Sequence, residues 1–135
     1  MPGGTLRGRV VSGGREAVVA LTVSSQDSDR SEPVEVEAVI DTGFSGHLTL
    51  PDELVEELDL PQEGYIEVEL ANGETDELGV FEARVRWHGR EVSVPVYETD
   101  GGPLVGMSLL RGSRLTVEAE PGGEVLIEKL EVQMA

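Results

Sequence analysis

The chain has 135 residues, with 27 Asp and Glu against 10 Lys and Arg, for a formal net charge of −17. That length suits one domain, 1–135, with a single modest core, and the charge argues against nucleic acid or an anionic membrane as a partner, since both reward a basic surface. There is no Cys, which removes disulfides and thiolate-bound metal.

The first residues, Met1-Pro2-Gly3-Gly4-Thr5-Leu6-Arg7-Gly8, lack the charged-then-apolar profile of a secretory signal, and no apolar run approaches a membrane span. A cytoplasmic protein is the default expectation. Thr5 to Val11 and Ala17 to Ser24 are rich in β-branched residues and flank Gly13-Gly14, which predicts a hairpin. Ser24 to Pro33 is polar without periodicity and predicts a loop, in which Asp27 and Asp29 could touch calcium but lack the EF-hand pattern.

From Val34 the pattern alternates, with Val34, Val36, Ala38 and Ile40 on one face and Glu35 and Glu37 on the other. This strand delivers Asp41 into a turn of Thr42, Gly43, Phe44, Ser45 and Gly46. Leu48-Thr49-Leu50 reads as a short strand, and Pro51-Asp52-Glu53 as a helix start with Pro in the first turn and carboxylates at the positive end of the dipole. Leu54, Val55 and Leu58 give that helix its apolar stripe before Pro61.

Tyr65 to Ala71 alternates again and meets Asn72-Gly73, the strongest short-range hairpin signal in the chain. The returning strand runs from about Glu77 to Trp87, with Phe81, Ala83, Val85 and Trp87 on one face, where Phe81 and Trp87 read as core or dimer contacts. His88-Gly89 predicts a turn, and Glu91 to Tyr97 a strand with Val92, Val94 and Val96 inward. Leu104-Val105-Gly106 is a further short strand, Met107 to Arg111 a brief helical segment closed by Gly112, and Leu115 to Ala119 with Glu124 to Val132 a last hairpin about Pro121-Gly122-Gly123. Many short strands and one or two short helices predict an all-β fold, a small closed barrel.

Ala38-Val39-Ile40-Asp41-Thr42-Gly43 and the later Leu104-Val105-Gly106 together resemble the retropepsin-like aspartic proteases. A subunit of that family carries one apolar-apolar-Asp-Thr/Ser-Gly loop and a later apolar-apolar-Gly strand packed behind it. The resemblance in order of elements spans roughly Thr5 to Val132. It implies an acid-protease barrel acting as a two-fold homodimer, with Asp41 as the catalytic residue of each subunit, an extended polypeptide as substrate, and no metal or organic cofactor.

Further roles follow from the resemblance. Thr42 and Gly43 shape the dyad, Leu104, Val105 and Gly106 form the supporting strand, and the Ile66 to Val80 hairpin, tipped by Ala71, Asn72 and Gly73, lies where the family places its substrate flap. Viral members have an Arg after the supporting Gly, where this chain has Met107, so the likeness is closer to the bacterial cytoplasmic members, in which Asp-Thr-Gly-Phe-Ser/Thr-Gly-x-Leu followed by Pro is common.

Other readings of these residues stand beside the protease. Gly43-Phe44-Ser45-Gly46-His47 falls one position short of the nucleophile elbow Gly-x-Ser-x-Gly, because His47 occupies the last place. His47 and His88, each beside a Gly, read as exposed turn residues rather than a metal pair. A retropepsin-fold binding or assembly module that uses the cleft to hold a peptide, and a chain that gains its second Asp from another protein, are the alternatives to catalysis by a homodimer.

Overall fold

A computed structural model describes residues 4–26 and 32–131. The loop residues Asp27 and Asp29, and the end of the last predicted strand at Val132, lie outside the described residues. Among the described residues the chain forms ten strands and two short helices. The strands are β1 (Leu6–Val11), β2 (Glu16–Ser24), β3 (Val34–Ile40), β4 (Leu48–Pro51), β5 (Gln62–Glu69), β6 (Thr75–Trp87), β7 (Arg90–Thr99), β8 (Leu104–Val105), β9 (Ser113–Val117) and β10 (Glu124–Lys129), with α1 (Asp52–Glu57) and α2 (Met107–Leu110) between them.

All ten strands join one sheet in the order β5-β6-β7-β4-β8-β3-β2-β1-β10-β9, and a second pairing links β2 to β6 through Val23 with Val85 and Ser24 with Arg84. That pairing completes a circuit of six strands from β6 through β7, β4, β8 and β3 to β2. Inside it, side chains two apart along each strand meet. Leu21, Val23, Leu48, Leu50, Val85, Val96 and Val105 are fully buried, each worth about 1.5 to 3 kcal/mol relative to exposure. The outward positions carry the acidic residues, as Glu35 and Glu37 of β3 show.

The hairpin expected at Asn72-Gly73 and the turn expected at His88-Gly89 both form, and they differ in tightness. Asn72-Gly73 does not form a two-residue turn. The carbonyl of Leu70 accepts from Gly73 N–H (2.9 Å), Leu70 N–H donates to Glu74 O (2.7 Å), and only Gly73 adopts positive φ (+86°), which gives a three-residue loop. The tight two-residue turn is instead His88-Gly89, where both residues have positive φ (51° and 75°) and Trp87 pairs directly with Arg90.

His88 is also not an exposed turn residue. It is buried, with Nδ1 3.2 Å from Gly4 O and Nε2 2.7 Å from Ser113 Oγ. The tight turn folds the imidazole back against the start of β9, where both ring nitrogens find partners. A third difference is smaller: Pro51 ends β4 opposite Thr99 and caps α1 in extended geometry (φ −68°, ψ 154°), so the helix begins at Asp52. The fixed φ of Pro is compatible with either position, and the pairing with β7 decides between them.

Candidate functional site

β3 ends at Ile40 because Asp41 turns the chain away from the sheet. Its own N–H still reaches Val105 O (2.9 Å), and Val39 N–H reaches Pro103 O (3.0 Å), so β8 lies parallel to the end of β3. On its other side β8 runs antiparallel to β4, with Leu48 opposite Val105 and Thr49 opposite Leu104. The two-residue strand is thereby wedged between the strands that enter and leave the Asp41 turn.

Thr49, expected only as part of a short strand, fixes that wedge. Its buried hydroxyl accepts from Leu104 N–H (3.0 Å) and lies 3.4 Å from Gly102 O as donor. A Thr between two Leu on a strand gives no sequence signal of this role, since its partners come from a segment far along the chain.

Within the turn, Gly43 N–H donates to Asp41 Oδ1 (2.9 Å) and Phe44 N–H to Asp41 O (3.1 Å). One carboxylate oxygen is thus held by a backbone donor, and the half-buried side chain stands at the rim of the core. Thr42 and Gly43 are exposed, and the Thr42 hydroxyl has no partner among the described residues.

Gly106 sits directly behind. Its N–H donates to His47 O (3.0 Å), Met107 N–H donates to Phe44 O (2.8 Å) and Ser108 N–H to Gly46 O (3.1 Å), so three consecutive residues are stitched to the turn. Ser108 adds a side-chain bond, its hydroxyl donating to Ser45 O at 2.5 Å. A Cβ on Gly106 would press on Gly46 O and lie 2.5 Å from Phe44 Cδ2, so this position admits no side chain without movement. Sequence reasoning brought Asp41, Thr42, Gly43, Leu104, Val105 and Gly106 to one place, and the structure does the same.

The architecture has counterparts among solved structures. The chain superposes on a retropepsin-like aspartic protease from Rickettsia conorii with a TM-score of 0.58 and 14% identity, covering 96% of this chain and 93% of that one. It superposes on the EIAV protease, solved with the inhibitor HBY-793, with a TM-score of 0.56 and 13% identity over 72% of this chain and 86% of that one. The fold is retropepsin-like. No family model matches the sequence, and no curated protein matches it.

In this retropepsin-like fold the expected tip residues Ala71, Asn72 and Gly73 do form the turn between β5 and β6, away from the Asp41 turn in sequence and exposed along its length. Phe44 is a site residue that the motif contained without a role. Its ring meets Tyr97 of β7 edge-on at 5.9 Å and 69°, tying the Asp41 turn to the β6–β7 hairpin. Ser45, the near-miss nucleophile, is exposed with its carbonyl engaged by Ser108, and no His is hydrogen-bonded to it among the described residues. His47 is half-buried rather than exposed, and burial lowers its pKa by penalising the imidazolium.

Beside Tyr97, Glu98 shares a hollow of about 140 Å³ with Asp52, Asp76, Glu77 and Asp100. Desolvation, followed by the nearby charges of Asp52, Glu56 and Asp100, raises the Glu98 pKa. Among the described residues no cluster of three or more His, Asp or Glu is arranged to hold a metal ion, and no helix is long and apolar enough to cross a membrane.

Proposed function

We propose that this chain is an aspartic endopeptidase, active as a homodimer in the cytoplasm, in which the Asp41 carboxylates of two subunits meet across a two-fold axis. One observation carries the reading: an Asp held by the amide two residues on, at the end of a strand buttressed by Leu104, Val105 and Gly106, within a retropepsin-like fold. The circuit of six strands is the barrel, and the β5–β6 hairpin with Ala71, Asn72 and Gly73 is the flap that covers a bound peptide.

The chemistry needs two carboxylates close enough that both cannot ionise together, so the pair holds one proton. The ionised Asp41 takes a proton from a water held between the two, and that water attacks the scissile carbonyl. The protonated Asp41 donates to the carbonyl oxygen, so the tetrahedral intermediate forms without a covalent enzyme bond. Collapse of the intermediate passes a proton to the leaving amine. The chain carries a single Asp-Thr-Gly, so symmetry supplies the second acid. Gly43 N–H holds Oδ1 and orients the carboxylate, while the outward Thr42 hydroxyl is placed to bond across to the partner's turn.

The test is Asp41→Asn. The amide oxygen still accepts from Gly43 N–H, so the unfolding midpoint stays within error of wild type while hydrolysis of an unfolded polypeptide disappears. Binding of a statine-type transition-state analogue to wild type, and its loss in the variant, separates a protease from a peptide-holding module. A variant that still cuts, or a wild type that neither cuts nor binds the analogue, sinks the proposal.

A further inference from the structure

At the far end of the β6–β7 hairpin from Tyr97, the Trp87-His88-Gly89-Arg90 turn meets the end of α2 and the end of β10 around a hollow of about 280 Å³. Val80 is the partner of Tyr97 on β6, and Trp87 lies seven residues further along that strand. At about 3.3 Å per residue this puts the Trp87 wall roughly 23 Å along β6 from Tyr97, whereas the Arg111 wall lies one helical turn beyond Met107, whose N–H bonds Phe44 O in the Asp41 turn.

Arg90, Arg111 and Lys129 line the hollow, three of the ten Lys and Arg residues of the chain, and no carboxylate lines it. None of the three forms an ion pair among the described residues, whereas Arg7, Arg9 and Arg84 each pair with a Glu. In a chain with net charge −17, three cations facing one space without a counter-charge give a local field opposite in sign to that of the molecule. The adjoining hollow of Arg114, Glu128, Lys129, Leu130 and Glu131 is mixed in sign and lacks this property.

The remaining wall is apolar: Trp87, Val92 and Leu130, the last 40% exposed. The floor is fixed, because His88 is held on one side by Gly4 O and on the other by Ser113 Oγ. Guanidinium forks favour carboxylates and phosphates. An inorganic anion would leave the apolar wall unused, and a polyanion such as nucleic acid would be repelled by the surrounding acidic surface.

We propose that this hollow binds a short acidic peptide segment, with its carboxylates on Arg90, Arg111 and Lys129 and a neighbouring aliphatic side chain against Trp87, Val92 and Leu130. The site is independent of Asp41 and of any hydrolytic activity. In a substrate long enough to span both places, it would hold an acidic stretch away from the bond that is cut.

Trp87 is the only Trp in the chain, so the fluorescence signal is assigned to one residue, a buried one at the edge of the hollow, and the amide shifts locate the change. The experiment titrates the full chain with N-acetylated, C-amidated Leu-Glu-Glu, following Trp87 emission and the amide NMR shifts of Gly112 and Leu130. Saturable change is expected in both readouts, with the Leu-Gln-Gln analogue at least about ten-fold weaker and Arg111→Gln or Lys129→Gln each weakening the Glu peptide about three- to ten-fold. These side chains are exposed, so the unfolding midpoint stays unchanged and reduced binding is not reduced folding. Equal binding of the Glu and Gln peptides, or no saturation by either readout up to about 10 mM, overturns the proposal. So does competition by inorganic phosphate as strong as that by the peptide, which would mark an anion site indifferent to its apolar wall. Loss of hydrolysis in Asp41→Asn leaves every arm of this test intact.

Discussion

Replacing Gly106 by Ala tests whether the Asp41 turn depends on the backbone that packs behind it. Gly106 is extended (φ −106°, ψ 177°), a conformation open to any residue, so the whole effect of the methyl group is steric. That methyl would press on Gly46 O and lie 2.5 Å from Phe44 Cδ2 and 2.7 Å from Phe44 O. Two of these atoms are backbone carbonyl oxygens, which cannot rotate aside. Overpacking of this kind costs about 1 to 3 kcal/mol. Displacing β8 also lengthens the bonds from Gly106 N–H to His47 O and from Met107 N–H to Phe44 O, each worth about 1 kcal/mol net.

The expected loss is therefore about 3 kcal/mol, or roughly 10 °C in Tm for a chain of this size. Urea unfolding followed by far-UV circular dichroism, at one fixed protein concentration, measures it. Gly102→Ala is the control, because a Cβ there meets nothing within 4 Å at an ordinary φ; reduced freedom of the unfolded chain should leave it as stable as wild type or up to about 1 kcal/mol more so. If Gly106→Ala unfolds within 1 kcal/mol of wild type, or Gly102→Ala loses as much, then close packing behind the turn is not what shapes it.

Three further substitutions probe other parts of the same network. Ser113→Ala removes the hydroxyl 2.7 Å from the buried Nε2 of His88 and should cost about 1 to 3 kcal/mol in urea unfolding; no loss would mean that the imidazole has another partner. Gly46→Ala places a Cβ 2.5 Å from Phe44 Cζ, so its cost should shrink by about 1 kcal/mol or more in a Phe44→Ala background, and strict additivity in the double-mutant cycle would contradict the contact. For Glu98, burial and neighbouring carboxylates raise the folded pKa above the ordinary 4.5. Its contribution to stability is thus full below pH 4.5 and is lost as pH rises through the raised value. Glu98→Gln should therefore be more stable than wild type at pH 7, with the advantage vanishing by about pH 4; a pH-independent difference would refute the assignment.

The elements legible in the sequence were those whose signal is local. The alternation of Val34, Val36, Ala38 and Ile40 gave β3 its inward face, and Asp41-Thr42-Gly43 marked where that strand stops. The alternation of Ala83, Val85 and Trp87 gave the buried face of β6 in the same way. What escaped was set by partners distant in sequence. His88-Gly89 reads as an exposed turn until the fold brings Gly4 and Ser113 to the two ring nitrogens. Thr49 looks like any strand Thr until Leu104 arrives to donate to it. Asn72-Gly73 has the residues of a two-residue turn, yet the pairing of Glu69 with Thr75 leaves more chain between the strands than such a turn takes up. Turn chemistry proposes a geometry, and strand register disposes of it.

The proposed pairing of two subunits has an electrostatic cost that can be located. Each chain carries −17, but at physiological salt only charges within about 8 Å of one another across the interface matter much. Apart from Asp41 the turn itself is free of carboxylates, from Thr42 to His47. The β5–β6 hairpin is not: Glu67, Glu69, Glu74, Asp76 and Glu77 are all exposed on it. Two such hairpins closing over one cleft repel each other at neutral pH and low salt, and screening relieves that repulsion while leaving the turn contacts unchanged. Association measured by sedimentation equilibrium should accordingly strengthen as salt is raised at pH 7. The triple substitution Glu67→Gln, Glu69→Gln and Glu74→Gln should reproduce most of that gain at pH 7 and low salt. Association that ignores both salt and these substitutions would mean that the hairpins do not approach each other, and the covering role proposed for Ala71, Asn72 and Gly73 would go with them.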